Sequence, residues 1–211
     1  MTRVDEALVS DVEQVMGRLD PQGRPVVTNR LSPSVRSWPL METWDAIRSR
    51  RNVRSYKDRP IDVPVLEQIL EAARRAPSSM NQQAWDFVVV TERERLRDLS
   101  QVWRYAQHVA GSAATVALVA PASSDPEERE IFQLDLGQAA MSILLAAADQ
   151  GIGSCHAAVE DQAMAREVLG LPADRECMWL IALGYPADRP LAPVRRPTRR
   201  PFDEVVHRER W

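Results

Sequence analysis

A long apolar helix in the second half of this 211-residue sequence constrains its fold more than any other feature. Asp125 and Pro126 form a typical helix start, and Leu136, Ile143 and Leu144 follow at helical spacing. The segment is apolar on nearly every side, as expected for a helix that other elements surround. It ends at the glycines of "GIGS". We therefore expect a buried central helix around which the remaining elements are arranged.

Three short runs rich in β-branched or apolar residues predict strands: "WDFVVV", "ATVALVA" and "CMWLIALGYP". Helical patterns lie before and between them, in 41–50, in "IDVPVLEQILEAARRAPSS", in "ERERLRDLSQVWRYAQHVAG" and in "DQAMAREVLGLP". Three strands are too few for a doubly wound parallel sheet. The pattern favours an α+β sandwich with a buried central helix.

The first forty residues differ from the rest of the chain. Residues 4–19 have the spacing of a short amphipathic helix, and a connector rich in proline and glycine follows it. We interpret residues 1–40 as an N-terminal extension and 41–211 as the main domain, with a C-terminal arm from about residue 187.

Composition excludes several classes of protein. The chain is 45% apolar and 27% charged, as in globular proteins. The longest apolar run, 136–148, is too short to cross a bilayer, and no signal peptide is evident. Cys155 and Cys177 show no metal-ligand or disulfide spacing, so we expect a cytoplasmic protein without a metal. Lys57 is the only lysine among 27 basic residues, which suggests a GC-rich bacterial genome.

The basic C-terminal segment "RRPTRRPFDEVVHRERW" could suggest nucleic-acid binding. However, Asp203, Glu204 and Glu209 interrupt its positive charge, and the whole chain has a formal net charge of -3. No aromatic platform for stacking bases accompanies it. We therefore expect no nucleic-acid partner.

Three polar segments could carry chemistry, and each also has an ordinary structural explanation. The arginines of "SRRNVRSYKDRP" could grip phosphate oxygens or form a solvated surface. The amides of "APSSMNQQAW" could contact the edge of a heterocycle or form a polar turn. The glycines of "GIGSCHAA" could admit a flat ligand or end the preceding helix. The residues alone leave these alternatives open.

Taken in order along the chain, these segments resemble the nitroreductase family of FMN-dependent flavoenzymes. The similar stretches are "IRSRRNVRSY", "ARRAPSSMNQQAWDFVVV", "DLGQAAMSILLAAADQGIGSCHAA", "LGLP" and "IALGYPADRP". The resemblance implies a nitroreductase-like α/β/α sandwich with a central, mostly antiparallel sheet. It also implies an intertwined homodimer that binds FMN in its interface through both subunits, with terminal segments reaching across the partner.

The resemblance further implies an NAD(P)H oxidoreductase with ping-pong kinetics and a nitroaromatic, quinone or related small-molecule acceptor. The chemistry would belong to the flavin, so no catalytic side chain is required. Two alternatives with the same fold remain: an FMN-dependent dehydrogenase that tailors a metabolite, and a protein that stores FMN without turnover.

Several site residues are carried over from the resemblance. Arg50 and Arg54 would bind the FMN phosphate or ribityl oxygens, and Ala157 or Ala158 would offer a backbone N–H to the flavin N5. Asn52 and Ala84 depart from the family pattern, in which Ser and Pro are usual. The other expected cofactor-binding residues are Arg51, Pro77, Ser78, Ser79, Asn81, Gln83, Gln138, Arg199 and Arg200, and the candidate lining of an acceptor pocket is Trp103, Tyr105 and His156.

Overall fold

The computed structural model describes residues 41–211, so the helix and connector expected in residues 1–40 lie outside the described part. We number the elements of this part in chain order. They are α1 (Thr43–Ser49), α2 (Val63–Arg74), β1 (Asp86–Val90), α3 (Arg93–Leu99), β2 (Ala114–Pro121), α4 (Pro126–Asp149), β3 (Gly153–Ala158), α5 (Gln162–Leu169) and β4 (Arg175–Gly184).

The four strands form one antiparallel sheet in the order β1-β2-β4-β3. Its centre is the long pairing of β2 with β4, and β1 and β3 are the edges. One face packs on α3 and α5 through a buried apolar cluster that includes Leu96, Leu99, Ala165 and Leu180. Helix α4 contacts the sheet and also α1 and α2. The α+β sandwich with a mainly antiparallel sheet is thereby confirmed.

Helix α4 has two different faces. Leu136, Ile143 and other residues are buried, because this face packs on α2 and the sheet. The opposite face presents an apolar stripe in which Ile131, Leu134 and Met141 are 37%, 63% and 47% exposed. The sequence predicts apolar residues on nearly every side of this helix, but only those on one face are buried within a single chain.

The argument from sequence against a membrane span considers only the apolar run 136–148 and not the whole of α4. Helix α4 as a whole is long and apolar enough to cross a bilayer by length and composition. Core helices meet the same criterion, and the buried face of α4 packs on α2 and the sheet as a core helix does.

Two local predictions need correction. The sequence analysis expects the glycines of "GIGSCHAA" to end α4 or to admit a flat ligand and predicts no strand there, but 153–158 is the edge strand β3. A Cβ on Gly153 would lie 2.6 Å from Cγ2 of Val53, so this glycine allows two backbones to approach closely. The helix expected throughout "ERERLRDLSQVWRYAQHVAG" ends at Leu99, and turns with a short 3₁₀ segment, Gln107–Val109, follow.

Candidate functional site

The basic segment Arg50–Tyr56 runs along the outer side of β3. Val53 N–H donates to the Ser154 carbonyl at 3.0 Å, and Asn52 and Ser154 form an isolated parallel bridge. The Tyr56 hydroxyl donates to the Val53 carbonyl at 2.6 Å. These bonds fix the backbone between the arginines, so their side chains project from a rigid sheet edge.

A cavity of about 1030 Å³, here called the arginine cavity, lies beside this segment. Six arginines line it and no acidic residue does. Arg50, Arg51 and Asn52 come from the basic segment, and Arg199 comes from the C-terminal arm. Guanidinium groups converging without carboxylates suit a phosphate group. The arginine cavity thus brings together residues separated by almost 150 positions.

Arg51 is committed to the C-terminal arm. Its Nη2 donates to Asp188 Oδ1 and to the Arg189 carbonyl, both at 2.8 Å, and its side chain is only 16% exposed. The hydrogen bond from Arg51 holds the pKa of the Asp188 carboxyl below its usual value. Within residues 41–211 no hydrogen bond or ion pair engages the Arg50 side chain. Arg50 is therefore free to meet an anion, whereas Arg51 secures the arm.

Arg200 points elsewhere. Its Nη2 donates to the Glu204 carbonyl at 2.9 Å and its Nε lies 3.5 Å from the Glu204 carboxylate. Of the two C-terminal candidates, Arg199 lines the arginine cavity and Arg200 does not.

A second cavity of about 630 Å³, here called the aromatic cavity, also has Asn52 in its wall. Arg54 lies in this cavity and not with Arg50. The three residues expected to line an acceptor pocket, Trp103, Tyr105 and His156, are also here. Trp103 and Tyr105 pack edge to face, with ring centroids 4.9 Å apart. The remaining residues of the wall are Gln107, His108, Ala158 and Trp179.

His108 was not among the sequence-based site candidates. Its side chain is 9% exposed, and neither ring nitrogen has a hydrogen-bond partner in the part of the chain that the structure describes. Burial lowers the pKa of His108, and the charges of Arg54 and His156 lower it further. The ring is therefore neutral near pH 7. An isolated histidine in the short 3₁₀ segment Gln107–Val109 carries no sequence signal that could have identified it.

The free edge of β3 offers one of the two expected backbone donors. The Ser154 carbonyl bonds outward to Val53, and backbone groups alternate sides along an antiparallel strand. Ala158 therefore points its N–H to the free edge beside the aromatic cavity, while Ala157 points its N–H towards β4. Ala158 is the residue whose N–H can meet a ligand.

The loop Pro77–Gln83 lines neither cavity, and neither does Gln138 on α4. Asp135 holds this loop: its carboxylate accepts from Ser79 N–H at 3.0 Å and from Ser79 Oγ at 3.2 Å. Asp135 is only 4% exposed. Ser78 Oγ accepts from Gln83 N–H at 2.9 Å. Met80, Asn81 and Gln83 all have positive φ, a strained conformation that persists where the surroundings impose it.

Comparison with known proteins gives one consistent result. The Nitroreductase family profile matches residues 47–115 and 97–185. A protein of Archaeoglobus fulgidus, assigned as an NADH dehydrogenase/NAD(P)H nitroreductase, is 34% identical over 82% of this chain and 100% of its own length. The FMN reductase [NAD(P)H] of Bacillus subtilis is 27% identical over 82% of this chain and 75% of its own.

A solved structure agrees with these relatives. The FMN-dependent nitroreductase of Clostridium difficile superposes with a TM-score of 0.69 at 27% identity, covering 79% of this chain and 98% of that one. The matched residues include the basic segment, the loop Pro77–Gln83, α4 and β3. This chain belongs to the Nitroreductase family.

Proposed function

We propose that the protein is an FMN-dependent NAD(P)H oxidoreductase that reduces nitroaromatic, quinone or related acceptors. One observation carries the proposal: a cavity of six arginines adjoins an aromatic cavity at a free strand edge, and Asn52 lines both. This donor set fits FMN, whose phosphate and flat ring require different surroundings. The relatives named for FMN and NAD(P)H support the same assignment.

In this proposal Arg50 and Arg199 bind the phosphate in the arginine cavity. Arg51 contributes by holding the C-terminal arm through Asp188. Asn52, at the junction, binds the part of the cofactor between phosphate and ring. The family usually has Ser at this position. Asn52 keeps a hydrogen-bonding group there, and its side chain reaches farther than that of serine.

The ring would lie in the aromatic cavity. Ala158 donates its edge N–H, and Arg54 places a positive charge beside the ring. When bound, FMN supplies hydride and electron transfer between NAD(P)H and the acceptor. The side chains around it would orient the reactants. Because hydride and electron transfer belong to the flavin, these transfers require no acid or base side chain.

A homodimer completes the proposed site. The exposed apolar stripe of α4 lies near Trp44 and Ile47 of α1, which are 64% and 46% exposed, and Met141 of the stripe lines the same cavity as these two residues. Exposed apolar surface of this kind marks protein interfaces. The loop Pro77–Gln83 and Gln138 lie outside both cavities of their own chain. We propose that a second copy brings them to the FMN.

The decisive experiment is to purify the protein and record its flavin spectrum under anaerobic NADH or NADPH. Rapid bleaching supports the reductase, with re-oxidation by a nitroaromatic or quinone as the second half-reaction. Bleaching by a metabolite alone would indicate the dehydrogenase, and no bleaching by any donor would indicate storage. A protein that holds no FMN when FMN is supplied would contradict the whole proposal.

A further inference from the structure

Among the described residues, the charge that lines the aromatic cavity is positive. Arg54 supplies it, and no aspartate or glutamate lines the cavity. Arg54 has no ion pair among residues 41–211. A ligand group of negative charge would therefore meet the positive potential of Arg54 and no carboxylate in this cavity.

The flavin ring is proposed to lie in the aromatic cavity, and an acceptor that takes electrons from it would pack beside that ring against the other walls. Trp103, Tyr105 and Trp179 present aromatic faces and edges. Aromatic side chains of this kind pack against a planar ligand in stacked or edge-to-face geometry. Together with the positive potential, these walls favour an aromatic acid over a neutral aromatic compound.

His156 is the donor placed to hydrogen-bond the acidic group. It lies on β3 between Ser154 and Ala158, and its side chain is exposed into the aromatic cavity. Its ring packs edge to face on Trp179, with centroids 5.9 Å apart. Gln107 is less available, because its amide donates to the Arg104 carbonyl. The nitrogens of His108 are buried.

We propose that the aromatic cavity selects acceptors that carry a carboxylate or similar anionic group on an aromatic ring, and that His156 hydrogen-bonds this group. The inference rests on the proposed function, which it refines from nitroaromatics and quinones in general to their acidic members. Arg54 contributes positive charge to the same cavity, and His156 provides the discriminating contact.

The first test measures binding without turnover. The FMN-loaded protein is titrated by calorimetry with benzoate and with benzamide, which have the same shape and differ in charge. A charge-assisted hydrogen bond predicts that benzoate binds about tenfold more tightly. The same pair is then compared as substrates, 4-nitrobenzoate against 4-nitrobenzamide, through kcat/KM.

Variants of His156 locate the effect. His156→Phe keeps a flat ring and removes the donor, so the ratio of benzoate affinity to benzamide affinity should fall towards one. His156→Gln keeps an N–H donor and should retain part of it. His207→Phe makes the same substitution on an exposed histidine outside both cavities and should leave the preference unchanged.

Equal binding of benzoate and benzamide, no binding of benzoate, or an acid preference that survives in His156→Phe would overturn the inference. These outcomes differ from failure of the proposed function. If the proposed function fails, the protein will not hold FMN or will not oxidise NAD(P)H with either acceptor. A reductase that accepts both acceptors equally keeps the function and loses only the selectivity.

Discussion

The arginine cavity and the aromatic cavity share Asn52 but are built in different ways. The arginine cavity draws its donors from α1, the basic segment and the C-terminal arm, and its arm is fastened by the Arg51–Asp188 pair. The aromatic cavity is formed by the edge of β3, Arg54, the loop after α3 and Trp179. One surrounds a compact anion with charge, and the other surrounds a flat group with rings.

The comparison explains why one basic segment serves two purposes. Arg50 and Arg54 are four residues apart, and an extended chain of that length spans roughly 13 Å. Arg50 lines the arginine cavity, whereas Arg54 lines the aromatic cavity. The arginines therefore divide between the cavities, and each cavity can be tested separately.

The largest effect is expected for Arg50→Ala, which removes a donor of the arginine cavity that has no partner among residues 41–211. Loss of a charge-assisted hydrogen bond should weaken FMN binding by about 1.5–3 kcal/mol. Riboflavin, which lacks the phosphate, should lose much less. Fluorescence titration of the apoprotein with both flavins measures this. Lys57→Ala is the matched control, and an unchanged FMN affinity in Arg50→Ala would remove Arg50 from the phosphate site.

A substitution where β3 packs against the basic segment should lower the stability of the fold. Gly153→Ala would place a Cβ 2.6 Å from the Val53 side chain, and overpacking of this kind costs about 1–3 kcal/mol of unfolding free energy. Urea denaturation measures the loss. In Gly111→Ala the new Cβ would have only the His108 carbonyl at 4.0 Å, so its stability should stay close to that of the wild type. Equal stability of the two variants would show that β3 and Val53 separate easily.

A smaller effect, again confined to the arginine cavity, is expected for Asp188→Asn. The amide removes the charge that holds Arg51, so the C-terminal arm should be less well positioned. FMN affinity should fall by less than in Arg50→Ala, and riboflavin affinity should not change. A parallel loss for both flavins would mean that Asp188 affects folding and not the phosphate site. Asp58→Asn is the matched control.

The smallest effect concerns acid stability and belongs to the aromatic cavity. Burial lowers the pKa of His108 from the ordinary 6.5, so below that pH the unfolded chain binds a proton that the folded chain refuses. Folding stability should therefore decrease as pH falls below 6.5. His108→Leu should make this decrease shallower, as measured by Tm from pH 7.5 to 5. The exposed His207→Leu should not, and an identical slope in His108→Leu would contradict the assignment.

Local patterns were sufficient for most of the elements. The helical patterns predicted in "IDVPVLEQILEAARRAPSS" and "DQAMAREVLGLP" form α2 and α5, and the predicted β-branched runs form β1 and β2. Such patterns act between neighbours, so they can be read without the fold. Strand β3 was missed because its glycine and small residues resemble a turn, and its pairing with β4 is a long-range interaction.

The sequence by itself determined which residues carry charge, amide and aromatic chemistry, and the resemblance identified the family to which they belong. Only the tertiary structure decided how they are grouped. It separated Arg54 from Arg50, directed Ala158 and not Ala157 to the free edge, brought Arg199 in and left Arg200 out, and added His108 and Asp135. The physical reason is that these groupings depend on strand register and on contacts between distant segments, which spacing along the chain does not encode.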